Sequence, residues 1–108
     1  MTLNEVNTML TGISGFADKV AYYAFPVGEA PELPFLCYVE NGADSFAADN
    51  VVYFASKDIN VELYTKLKDP TTEQLVESAL TAAGVFWTKT AEYLEDEKCW
   101  MITYAIGV

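Results

Sequence analysis

Carboxylates have the first claim to chemistry in this sequence. Asp44 and Asp49 share one short stretch, and Glu92 stands close to Glu95, Asp96 and Glu97. Paired carboxylates run general acid–base reactions when their surroundings push their pKa values apart. Runs of charge more often sit in solvated turns, and both stretches fit that plainer description. The Asp44/Asp49 pair also lacks the alternating acidic pattern and terminal glutamate of a calcium loop. The chain holds no histidine. That removes the commonest general base and metal ligand, and with it Ser–His and Cys–His nucleophile pairs. Cys37 and Cys99 lie far apart within apolar segments, as expected of buried thiols acting as small hydrophobes. A disulfide needs an oxidising compartment, which nothing here suggests. Two thiols without histidine are a poor zinc site. No phosphate loop or dinucleotide fingerprint is present. The sequence is therefore expected to have no catalytic residues, no metal and no cofactor. A carboxylate-pair enzyme is the minor alternative, and loss of turnover in Asp49→Asn would mark it.

The elements that would position these residues follow from periodicity and punctuation. Thr2 and Glu5 have capping-box spacing, and Leu3, Val6, Met9, Leu10 and Ile13 recur at helical intervals until Gly12 and Gly15. Val20 to Phe25 and Phe35 to Glu40 read as strands around a loop broken by Pro26, Gly28, Pro31 and Pro34. Asn41-Gly42 and Asp49-Asn50 are turn signals, and Val51 to Phe54 reads as a short strand in a projecting hairpin. Lys57 to Leu67 alternates, with Ile59, Val61, Leu63 and Leu67 on one face. Asp69-Pro70 opens a second helix with an apolar stripe of Leu75, Val76, Ala79, Leu80 and Ala83. Glu73 and Glu77 are assigned to its exposed arc, and Gly84 stops it. Val85 to Leu94 and Cys99 to Val108 form a hairpin across Glu95-Asp96-Glu97. The last strand is apolar on both faces, which predicts an interior strand covered on both sides.

These elements predict one α+β domain over residues 1–108, with a single small mixed or antiparallel sheet of about four or five strands packed by two helices. The length of 108 residues suits one domain. The N-terminus lacks the basic start and apolar stretch of a signal peptide, and no apolar run is long enough to span a membrane. Asp and Glu number 16 against six lysines and no arginine, for a net charge of −10. Such a balance disfavours sequence-specific nucleic-acid binding and attraction to anionic membranes.

Aromatic side chains carry the remaining signal. Seven tyrosines, six phenylalanines and two tryptophans are many for one small core, where ordinary core or loop packing is the plainer reading and an interface the other. Rigid rings are enriched at protein interfaces. Phe46, Tyr53 and Phe54 sit in the irregular middle segment beside Asp49 and Asn50, and Tyr64 lies on the polar face of its strand. These six residues form the candidate interface.

The runs Phe46-Ala47-Ala48-Asp49-Asn50-Val51-Val52-Tyr53 and Ile59-Asn60-Val61-Glu62-Leu63-Tyr64-Thr65 are distinctive. Lys68-Asp69, Glu73, Glu77 and the closing Tyr93-Leu94-Glu95-Asp96-Glu97-Lys98 complete a pattern over residues 34–106. It resembles small tail-completion or tail-terminator-like (head–tail joining) proteins of Firmicute long-tailed phages and prophages. The resemblance implies a tail-terminator-like sheet with packed helices and a homo-oligomeric ring, often a hexamer, at the head-proximal end of the tail. The implied partners are tail tube and head connector proteins, with no cofactor and no enzymatic activity. The implied location is the virion, and the host cytoplasm during assembly. The alternative is a small acidic inhibitory or regulatory protein that binds a host protein and mimics nucleic acid through its charge.

If residues 46–53 contact a neighbouring subunit, Phe46→Ala and Tyr53→Ala each weaken assembly without lowering the thermal midpoint. Sedimentation alongside thermal melts checks this.

Overall fold

Local signals at both helix starts act as their chemistry requires. In the computed structural model, which describes residues 1–40 and 58–107, the first helix, α1, spans Leu3–Thr11. Thr2 Oγ1 accepts from the Glu5 amide at 3.1 Å, and Glu5 Oε1 accepts from the Thr2 amide at 2.7 Å. The reciprocal pair satisfies donors that the first turn leaves free. Val6 and Leu10 face the core, and the chain runs on from Gly12 to bury Ile13 and Phe16. The second helix, α2, spans Pro70–Ala82, with Asp69 accepting from the Thr72 amide at 3.1 Å and Pro70 in its first turn. Gly84, at φ 76°, takes the left-handed conformation that lets the chain leave this helix.

Five strands form one mixed sheet: β1 (Val20–Tyr22), β2 (Phe35–Glu40), β3 (Asp58–Thr65), β4 (Phe86–Leu94) and β5 (Cys99–Gly107). Their spatial order is β1-β2-β3-β5-β4, with β1 parallel to β2 and every other pair antiparallel. The α+β class, the mixed sheet and the two helices are as the sequence predicts. Both helices pack on one face, where Val6, Leu10, Val76 and Leu80 join Leu36, Val61, Leu63, Ile102, Tyr104 and Ile106 in a single core.

Several boundaries and faces differ from expectation. β1 ends at Tyr22 and does not reach Phe25, because Tyr23 adopts φ 69° and turns the chain away while its amide donates to the Tyr38 carbonyl at 2.7 Å. β3 stops at Thr65, so Leu67 lies beyond the alternation and is 74% exposed. In α2 the buried positions are Glu73, Val76 and Leu80; Leu75 is 42% exposed and Ala83 is the exposed cap residue. Glu73 thus sits on the buried stripe and not on the exposed arc. β5 is interior to the sheet, yet its second side is only partly covered: Cys99 is buried, Met101 half-buried and Ala105 exposed there. The turns at Asn41-Gly42 and Asp49-Asn50, the strand Val51 to Phe54, the strand start at Lys57 and the end at Val108 lie outside the described residues.

Leu63→Ala and Ile102→Ala are each expected to cost about 2–5 kcal/mol in urea unfolding. Leu67→Ala, at an exposed site, is expected to stay within about 0.5 kcal/mol of wild type.

Candidate functional site

Alternation along β3 and β5 decides what each face of the sheet presents. With Ile59, Val61, Leu63 and Thr65 turned toward the helices, Asn60, Glu62 and Tyr64 must point the other way. Among the described residues no helix covers that second face. Register aligns Phe35, Tyr64, Met101 and Glu92 in one row across it, and Cys37, Glu62, Thr103 and Thr90 in the next. The loop after β1 borders this face. Phe25 meets Phe35 edge-on with ring centroids 5.2 Å apart, and Phe35 lies 5.0 Å from Tyr64. Tyr23, Phe25, Val27, Phe35, Cys37, Tyr64 and Glu97 line an open groove of about 450 Å³ there.

The groove's ionisable groups are poorly suited to reaction. Burial, with help from Glu62, pushes the Cys37 thiol up to about 11, so the thiolate is scarce at neutral pH. Burial raises Tyr64 as well, and its hydroxyl donates to Glu62 Oε1 at 2.9 Å. Cys99 is also buried and raised by burial. Both cysteines are free buried thiols, as their apolar settings suggest.

A second constellation lies on the helix side. Glu73, 1% exposed, forms ion pairs with Lys68 through Oε2 and with Lys89 through Oε1 at 2.7 Å. Lys89 also reaches Glu77 at 2.8 Å, and the buried Tyr104 hydroxyl donates to Glu77 Oε2 at 2.9 Å. Desolvation raises the Glu73 carboxyl, but hydrogen bonds and charge from Lys68 and Lys89 outweigh it and hold the group below its ordinary value. The same pairing raises Lys89, which keeps it protonated and unfit as a nucleophile. The cluster therefore ties α2 to β4 and to the segment after β3. Sequence spacing contains the clue, since residues 73, 76 and 80 fall on one helical stripe.

Of the candidate interface residues, Tyr64 lies in the groove and is half-buried. Phe46, Asp49, Asn50, Tyr53 and Phe54 lie outside the described residues, as does Asp44. The structure adds exposed apolar side chains that the sequence does not single out: Tyr22, Tyr23, Val27, Phe86 and Tyr93. Among the described residues no group of three acidic or thiol side chains is placed to hold a metal ion. Among them, too, no helix is long and apolar enough to cross a membrane. No family model matches the chain, and neither curated proteins nor solved structures give a match. The functional reading therefore rests on this geometry and on the residue pattern.

The Glu73 cluster sets an acid limit. A carboxyl held below its ordinary value of 4.5 stabilises the fold above that pH, and the contribution fades as pH falls through the folded value. Glu73→Gln is expected to lower stability by about 2 kcal/mol at neutral pH, the lysines being partly solvated. It is also expected to flatten the acid limb of a stability–pH profile measured by denaturant melts.

Proposed function

We propose that this chain is a structural assembly protein of a long-tailed bacteriophage or prophage, acting in tail completion or termination, or in head–tail joining. The observation that carries the reading is the exposed pair Tyr23 and Val27, which line the aromatic groove on the second face of the sheet. Contiguous exposed apolar surface of this kind marks protein contact. The residue pattern over 34–106 supplies the class of partner. In this reading the chain joins copies of itself in a ring, as the similar tail proteins do, and meets tail tube and head connector proteins. It works without a cofactor, in the host cytoplasm during assembly and then in the virion. The charge of −10 suits a subunit past which nucleic acid must slide without sticking.

Mixing the purified chain with tail tube protein tests this. Electron micrographs are expected to show tubes ending in a ring of added density. Tyr23→Asn, which suits left-handed backbone, is expected to reduce the capped fraction without altering the melt. A chain that neither caps nor joins tubes overturns the reading.

A further inference from the structure

Among the described strands β4 is the long free edge of the sheet. Its residues pair with β5 without a break from Phe86↔Gly107 to Leu94↔Cys99, and no described strand lies on its other side. Edge strands present unpaired backbone donors and acceptors, and proteins guard them with proline, bulges or outstanding lysines. β4 has no proline, and its continuous register leaves no room for a bulge. Its single lysine is no guard, since Glu73 and Glu77 hold Lys89 on the helix side. With one lysine and one glutamate the strand carries no net charge, on a chain that totals −10. Repulsion between copies along this strand is therefore weak.

We infer that β4 pairs antiparallel with β4 of a second copy across a two-fold axis at Thr90. Thr90 is the middle of the strand's 9 residues, so this register alone pairs the whole strand with itself. It keeps the helices of both copies on one side of a continuous sheet. Phe86, 79% exposed, then lies opposite Leu94 of the second copy, and Tyr93, 45% exposed, opposite Trp87. Thr88 meets Glu92, Lys89 meets Ala91, and Thr90 meets its own copy. The large apolar groups face one another, and no like charges are opposed. Moving the axis to Lys89 sets two ammonium groups against each other; moving it to Ala91 sets Phe86 and Trp87 against Asp96 and Glu95. The other edge, β1, has 3 residues and offers too short a template. A two-fold interface closes on itself, so this pairing describes the free protein. It leaves β1 and the groove open, and it does not depend on the tail assignment.

Sedimentation velocity across a concentration series is expected to show a monomer–dimer equilibrium. Thr90 is exposed on the helix-free face, so charge is tolerated there by the monomer. Thr90→Lys and Thr90→Glu are each expected to weaken the dimer roughly ten-fold or more, and their equimolar mixture to restore it. Under mild oxidation Thr90→Cys is expected to give a cross-linked dimer and Thr88→Cys none. A wild-type chain that stays monomeric throughout, or a dimer indifferent to both charge variants, overturns the inference. Tube capping can succeed or fail independently of either result.

Discussion

Among the described residues two helices, of 9 and 13 residues, pack on a five-stranded sheet. Among the described residues they cover one face, and much of the surface chemistry follows from that. The covered face takes most of the large apolar side chains of β3 and β5 into the core. The other face compromises: Cys37 and Cys99 are buried, Tyr64 and Met101 are half-buried, Thr88 and Ala105 are open. Small domains bury a lower fraction of their surface than large ones. Here the deficit is concentrated on one side of the sheet and along β4.

The buried carboxylate on α2 organises the covered side. Glu73 joins its helix to the segment just before it, through Lys68, and to the edge strand, through Lys89. Ammonium groups on flexible stems accept this geometry while staying partly in water, with side chains 41% and 34% exposed. A fully buried pair would face a larger desolvation cost. The arrangement also turns a residue that would normally keep an edge strand solitary into part of the helix–sheet contact.

Much of this architecture is legible in the sequence, because local chemistry decides it. The Thr2–Glu5 capping box, the Asp69-Pro70 helix start, the β3 alternation and the acidic hairpin turn all act through neighbours in the chain. The misplacements share a different cause. Leu67 continues an apparent alternation past the point where pairing with β5 ends. Glu73 looks like a residue drawn to a helix N-terminus by its dipole, and its burial depends on a lysine sixteen residues later, on another strand. Tyr23 leaves its strand through a backbone conformation that tyrosine seldom adopts. Of the candidate interface, Tyr64 alone lies among the described residues, where it supports the groove floor beside Phe35. Exposed Phe86 and Tyr93 escape notice in sequence because aromatic residues on a strand look the same at an edge as in the middle of a sheet.

The two cysteines have a practical consequence. Both are shielded by neighbouring side chains, and burial disfavours their ionised form. Thiolate is the species that air oxidation and alkylating reagents attack. Solutions of the folded protein should therefore keep in air without added reductant, and maleimide dyes should label it only after denaturation.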